Sequence, residues 1–471
     1  MIKVGENDMK LFAHQTEAVR RGKMNNLALF HSCGTGKTLT GIELIKYWKL
    51  MKMYSKFSAL VVCPLSIVND AWLGDCAKFA PDLDVVSLWS KKPTERLRRL
   101  EEDHDVYIAN YETFKSLWPY IYEKHFDVLI VDESSKMKNP KSQITRSILA
   151  FAGIVMRSKK SKVKYRADQI IPHRYVLSGT PAPNSEEEYW SQVKFITGSG
   201  DKLFNDNFYV FRSRYFYSIP VGNLQKIWKF RKQTLEEFQN KIATVAHVVS
   251  KADAVDLPEQ VHEIREVILS GVEQKAYDDL KTELVLRFED ETVLATTSLV
   301  EVMKLRQLTS GFCYGEEGTH NIGCSKLKET DSLLEEIGGH QVIIWANFKE
   351  EIRLLLELLG RDAMALWSLT VNRDTVIKGF KAGDFQYLIA NPQSAAHGLT
   401  FTNCNYAIYF SQNYSYEMQK QSEDRIHRIG QDNKCTYYHL IAKGTVDRMI
   451  HNTVKSKGDV SRATLEFLKG K

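Results

Sequence analysis

His31-Ser32-Cys33-Gly34-Thr35-Gly36-Lys37-Thr38 runs directly into a segment containing Leu39, Ile42, Leu44 and Ile45 at helical spacing. Glycines at 34 and 36 permit a tight loop whose N–H groups turn inward toward phosphate oxygens, with Thr35 between them. A helix N-terminus immediately afterwards adds partial positive charge at the same place. In such a loop Lys37 reaches the β- and γ-phosphates, and the Thr38 hydroxyl holds magnesium. The full pattern GxxxxGK[ST] puts a glycine where this chain has His31, so the match is incomplete at its first position. The loop therefore needs partners elsewhere in the chain.

Working outward, short apolar runs rich in β-branched and aromatic residues occur at Ala59–Cys63, Val106–Ala109, Val128–Val131 and Tyr175–Leu177. Apolar on both faces, they suit a parallel sheet covered by helices. The pattern recurs at Val342–Trp345, Tyr387–Ala390, Ala407–Phe410 and Thr436–Leu440. Two α/β lobes are expected, over residues 1–205 and 321–471, with a largely helical segment, 206–320, between them.

The run Val128–Val131 delivers Asp132 and Glu133 at its C-terminal end, where α/β sheets bind ligands. Asp132 is placed to hold a magnesium shell, and Glu133 to polarise an attacking water. Gln15, upstream of the loop, carries an amide that can both donate to and accept from an adenine edge; on its own it also fits a surface position. Ser178-Gly179-Thr180-Pro181 ends another strand. Ser178 and Thr180 either sense the metal site or simply close a turn.

In the second half, Gln421-Ser422-Glu423-Asp424-Arg425-Ile426-His427-Arg428-Ile429-Gly430-Gln431 stands out. If helical, it puts Arg425 and Arg428 on one face. A guanidinium fork suits charge on a transferring phosphoryl group; a solvated helix with ion pairs to Glu423 and Asp424 is the other reading. Ala395-Ala396-His397-Gly398-Leu399-Thr400 offers small residues for close backbone approach.

The chain has 471 residues and a formal charge of +6, which fits a polyanionic partner weakly. Seven cysteines lie far apart with no CxxC pair, against a disulfide framework or zinc site. No run approaches the length of apolar residues needed to span a bilayer, so the protein reads as soluble and intracellular.

Together these residues resemble the Snf2-like branch of superfamily 2 helicase-type ATPases. His31–Thr38 resembles motif I, Val62-Cys63-Pro64-Leu65 motif Ia, and Asn110-Tyr111-Glu112 motif Ib. Asp132-Glu133-Ser134-Ser135 resembles motif II, with Lys138-Asn139-Pro140 trailing it, and Leu177–Pro181 motif III. Val342–Phe348 resembles motif IV, Ala395–Leu399 motif V, and Gln421–Gln431 motif VI in the form QAxDRxHRxGQ. Leu257-Pro258 and Met303–Leu308 match the same branch. The resemblance covers about residues 8–450.

The resemblance implies an α/β fold of two RecA-like parallel-sheet lobes, with ATP and Mg²⁺ bound between them. Gln15, Gly34, Thr35, Gly36, Lys37 and Thr38 would bind the nucleotide, with Thr38 and Asp132 on the metal. Arg425 and Arg428 would be arginine fingers, with Gln421 near the γ-phosphate or the water. Ser178, Thr180 and Gly398 would couple nucleotide to nucleic acid. Motifs Ia, Ib, IV and V would lie along double-stranded DNA, read without regard to sequence. Branched DNA and targeting proteins are further partner classes in this branch.

Departures from the branch are specific. Motif I begins with His31 instead of an acidic residue, and motif II ends in Ser135 instead of a histidine often linked to motif III. Tyr414-Ser415-Tyr416 stands for Trp-Asn-Pro. Two basic segments are candidate DNA contacts or solvated loops: 157–166, and Lys226, Lys229, Arg231 and Lys232 interleaved with Trp228 and Phe230, which also fit a core. The expected activity is duplex-DNA translocation. A strand-separating DNA or RNA helicase, and a nucleotide-regulated binding protein that does not cycle, are the alternatives.

Overall fold

The computed structural model describes residues 11–456 apart from 53–54, 155–169, 184, 201, 222–224, 255–256, 291–294, 316–317 and 396–398. Its contacts divide the chain into two units, Met1–Asp256 and Leu257–Lys471. The boundary falls inside 206–320 instead of at its ends. That segment is largely helical, yet it gives one strand to each of the two large sheets and also forms two small hairpins.

The first unit contains β1 (Leu27–His31), β2 (Ala59–Cys63), β3 (Val85–Ser87), β4 (Val106–Asn110), β5 (Val128–Asp132), β6 (His173–Leu177), β7 (Phe216–Val221), β8 (Gln225–Phe230) and β9 (Ala246–Val249). Seven of them form one sheet in the order β3-β4-β2-β5-β6-β1-β9, with every pairing parallel. Strands β1, β2, β4 and β5 are buried along their whole length. Alternation of side chains explains why such runs lack a polar face. Leu60, Val62, Leu129 and Val131 pack into one core, while Val61, Ile130, Leu29 and Leu177 pack into another on the opposite face. Strands β7 and β8 form a separate antiparallel hairpin.

The second unit contains β10 (Gln260–Val267), β11 (Phe312–Gly315), β12 (Gly318–Asn321), β13 (Val342–Trp345), β14 (Ala363–Leu366), β15 (Tyr387–Ala390), β16 (Tyr406–Tyr409) and β17 (Cys435–Ala442). Its sheet runs β10-β17-β16-β13-β15-β14, again all parallel, with β11 and β12 in an antiparallel hairpin. This is the two-sheet α/β architecture that the apolar runs predict. Among the described residues, no helix is long and apolar enough to cross a membrane.

Strand order positions the site. Strands β5, β6 and β1 are neighbours, and all three point the same way. Their C-terminal ends are Asp132, Leu177 and His31. The segments that follow these strands, each singled out by sequence, therefore emerge side by side at one edge of the sheet.

Candidate active site

After His31 the chain makes a loop and enters the helix Lys37–Met51. Gly34 and Gly36 have φ of 82° and 77°, the left-handed region that glycine tolerates. Gly36 is constrained twice, because a β-carbon there would lie 2.3 Å from Gln15 Nε2. Lys37 Nζ donates to the carbonyls of His31 at 2.8 Å and Ser32 at 3.2 Å, so the ammonium sits over its own loop. Thr35 Oγ1 donates to Ser32 O at 2.8 Å and closes the loop from within. Thr38 lies half-buried on the first turn of the helix.

Gln15 is buried and its amide is engaged: Oε1 accepts from Phe12 N at 2.9 Å, and Nε2 donates to Gly36 O at 3.2 Å. In this arrangement it braces the phosphate loop, and contact with an adenine edge requires exchanging these bonds. His31, the residue in the glycine position, ends β1 with its ring fully buried. Its Nε2 lies 2.8 Å from Nδ1 of His247 on β9. Burial, with His247, Lys37 and His14 nearby, pushes its imidazole down to about 3, so it is neutral at pH 7.

Asp132 is buried at the end of β5. Its Oδ2 accepts from the Trp72 indole N–H at 2.9 Å, and its Oδ1 from the Glu133 amide at 2.8 Å. Burial raises its carboxyl above the usual carboxylate range, opposed by the charge of Lys37 and by those two hydrogen bonds. Glu133 takes a left-handed backbone, φ 50°, which costs a non-glycine residue about 1–3 kcal/mol. The Tyr111 hydroxyl, donating to Asp132 O at 2.7 Å and reaching Glu133 O at 3.3 Å, helps to hold that turn. Neither role for Trp72 or Tyr111 follows from their sequence positions. Trp72 carries no motif of its own, and Tyr111 lies in the segment whose resemblance points to DNA.

The Ser178–Pro181 turn follows β6. Ser178 N donates to Leu29 O at 3.1 Å, and Ser178 Oγ accepts from Thr180 N at 3.2 Å. A β-carbon on Gly179 would lie 3.1 Å from the Cys33 amide nitrogen and 3.5 Å from Lys37 Nζ. The turn thus abuts the phosphate loop. The first unit brings together Lys37, Asp132, Glu133, Ser178 and Thr180, residues spread over more than 140 positions of sequence.

In the second unit, the helix Tyr416–Glu423 carries Gln421. Ser415 caps it, accepting from Met418 N at 3.3 Å. The Gln421–Gln431 run is helical only at its start: the helix stops at Glu423, and both arginines lie on the turn beyond. Arg425 Nε donates to Gln421 O at 3.0 Å, taking the carbonyl that its own backbone N–H would use in a continuing helix. The backbone tightens instead, with Arg425 N donating to Ser422 O and Ile426 N to Glu423 O. The guanidinia still converge, because Arg425 Nη1 and Arg428 Nη1 donate to the same Leu399 carbonyl at 3.0 and 3.3 Å. Gln421 Oε1 is buried and has no hydrogen-bond partner among the described residues. Gly398 lies outside the described residues, as does the basic segment 157–166.

The other basic segment forms β8 and its end. Trp228 and Phe230 pack against the first unit's core, with Arg212 over the Trp228 ring at 4.8 Å, while Lys226, Lys229 and Lys232 are exposed. The aromatics are core residues, and the lysines form its outer face.

Comparison with known proteins fits this arrangement. The SNF2-related domain model matches residues 14–311, and the helicase conserved C-terminal domain model matches residues 325–430. The chain is 25% identical over 460 residues to putative protein p41 of Acyrthosiphon pisum secondary endosymbiont phage 1, covering 93% of this chain and 94% of that protein. It is 24% identical over 482 residues to nuclear protein STH1/NPS1 of Saccharomyces cerevisiae, covering 94% of this chain but only 33% of that protein. A solved structure, the Sulfolobus solfataricus SWI2/SNF2 ATPase core in complex with dsDNA, aligns over 100% of this chain and 95% of that one, with 20% identity and a TM-score of 0.44. With a family model matched over more than half its length, the chain belongs to the SNF2-related family and is a Snf2-type ATP-dependent motor.

Proposed function

We propose that this chain is a duplex-DNA translocase, hydrolysing ATP while it tracks the phosphate backbone without reading sequence. The observation that carries the ATP part is the convergence of Lys37, the Asp132–Glu133 pair and the Ser178–Pro181 turn at neighbouring strand ends. Gly34, Thr35 and Gly36 present loop amides, and Lys37 exchanges its bonds to His31 O and Ser32 O for phosphate oxygens. Thr38 and Asp132 are hard oxygen donors that fit Mg²⁺, with Asp132 already oriented by Trp72. Bound there, the ion supplies neutralisation of phosphate charge. Glu133 orients the attacking water as general base. Family resemblance gives Arg425 and Arg428, which share the Leu399 carbonyl, the role of arginine fingers, and gives Gln421 and Gly398 their parts in hydrolysis and coupling.

DNA enters through family membership and the motif forms. Phosphate contacts position a protein without specifying sequence, so binding should be sequence-independent and fall steeply with salt. The test compares ATP turnover with duplex DNA, four-way-junction DNA, single-stranded DNA and RNA, alongside triplex displacement and strand separation. Duplex stimulation with triplex displacement and no strand separation is expected. Stimulation by RNA alone, with strand separation, would replace this reading with the helicase one.

The same site predicts a role for the indole N–H. Trp72→Phe keeps an aromatic ring beneath Asp132 but removes the donor. The Mg²⁺ concentration for half-maximal turnover is expected to rise about 10- to 100-fold, the usual effect of losing a group that orients a metal ligand. A metal titration that superimposes on wild type would refute it.

A further inference from the structure

We propose that Gln192 is a positioning residue that couples the Asp132–Glu133 carboxylates to the Ser178–Pro181 turn, and through them couples DNA binding to ATP turnover. The proposal rests on the motor reading above. Ser134 directly follows the carboxylate pair, and its Oγ donates to Gln192 Oε1 at 2.6 Å. At the other end of the same amide, Nε2 donates to Pro181 O at 2.6 Å and to Glu188 O at 2.9 Å. One side chain therefore joins the segment after β5 to the turn after β6.

The chemistry requires an amide. The group must accept from a hydroxyl at one end and donate to carbonyls at the other, which a methionine, leucine or carboxylate of similar size cannot do. Ser134 and Gln192 are both 0% exposed, so water does not compete and neither bond is replaced cheaply when the other end moves. The link is supported from a second side. Ser191 Oγ donates to Lys138 O at 3.4 Å, and Lys138 pairs with Glu188 at 3.3 Å. The helix Tyr189–Thr197 thus grips the strand-end segment 134–138 at two places.

The chain of contacts continues to the nucleotide loop. A β-carbon on Gly179 would fit only tightly against Cys33, 3.1 Å from its N and Sγ, so the turn lies against the loop and displacement of the loop presses on the turn. Gln192 passes that displacement to Ser134, next to Glu133 with its strained φ of 50°. A small shift there changes where the general base points. The family resemblance assigns motif II–motif III linkage to a histidine that this chain lacks, with Ser135 in its place. Here the preceding residue, Ser134, makes the link through a glutamine from another helix.

The test uses the whole chain with Gln192→Met, which keeps length and bulk and removes all three hydrogen bonds of the amide, and with Ser134→Ala, which removes only one. Three readouts are taken: ATP turnover with and without a blunt duplex, KM for ATP, and the affinity of a fluorescein-labelled duplex in the presence of ADP or a non-hydrolysable ATP analogue. In Gln192→Met, DNA-free turnover and KM are expected to stay within about twofold, while the ratio of DNA-stimulated to DNA-free turnover falls about tenfold, inside the usual range of coupling between sites. The nucleotide dependence of duplex affinity should shrink as well, and the duplex dependence of nucleotide affinity by the same factor as it, since coupling between binding sites is reciprocal. Ser134→Ala should lower the stimulation ratio in the same direction. A folded Gln192→Met with an unchanged ratio, or with DNA-free and stimulated turnover reduced equally, overturns the proposal. If Gln192→Met does not fold, the Ser134→Ala ratio decides alone. If the wild type shows no duplex stimulation, the translocase reading fails and takes this inference with it.

Discussion

Lys37→Ala is expected to lower ATP turnover by about 10³-fold or more while leaving the protein folded. The ammonium sits among the loop carbonyls, 2.8 Å from His31 O and 3.2 Å from Ser32 O. A single oriented donor at developing charge is worth about 10²–10³ in rate, and a full positive charge at a phosphoryl group more. Its structural contribution is smaller: two hydrogen bonds from a half-buried group, each worth about 0.5–1.5 kcal/mol net. Phosphate release measured beside a thermal melt separates the two effects. Turnover within tenfold of wild type, from a variant that melts normally, would remove Lys37 from the site.

Arg428→Ala is expected to reduce kcat by about 10³-fold, the lower end of what an arginine finger supplies, with little change in thermal midpoint. The two arginines are not equivalent. Arg425 is 4% exposed and spends Nε and Nη1 on Gln421 O and Leu399 O, so it also fixes the turn after Glu423. Arg428 is half-buried, and its Nη1 donates to the same Leu399 carbonyl at 3.3 Å. Arg425→Ala should therefore lose turnover and stability together, and Arg428→Ala turnover alone. Arg428→Lys should recover little, because a lysine keeps the charge but loses the planar fork. Equal losses of stability in the two alanine variants, with turnover preserved at 428, would make both arginines architectural.

Some elements were legible and others were not, for physical reasons. Strands β2, β5, β13 and β15 sit inside their sheets and must be apolar on both faces, which leaves a plain signal in the sequence. Strand β10 forms the edge of its sheet, and Gln260, His262, Glu263 and Arg265 give it a polar composition that no apolar-run search finds. Strand β9, Ala246–Val249, also lies at a sheet edge, with His247 half-buried and Val248 exposed, so it is not apolar on both faces, yet it supplies the His247 partner of His31. Neither end of the helix Tyr416–Glu423 was read from sequence: Ser415 caps its start, and at its end the Arg425 side chain takes the Gln421 carbonyl, a contact that local pattern does not specify.

For the phosphate loop and its distant partners, sequence alone determined the chemical inventory: Lys37 and Thr38 after two glycines, Asp132 and Glu133 after an apolar run, and Arg425 and Arg428 in a recognisable order. Such groups are legible because loop and strand-end chemistry constrains residue type locally. Only the tertiary structure decided how they are held. It set His31 against His247, placed the Trp72 indole under Asp132, turned the Tyr111 hydroxyl onto the carboxylate backbone, and ran Gln192 between Ser134 and Pro181. Each of these bonds joins residues from different elements. Strand order in the parallel sheet, which local pattern does not specify, brings those elements together.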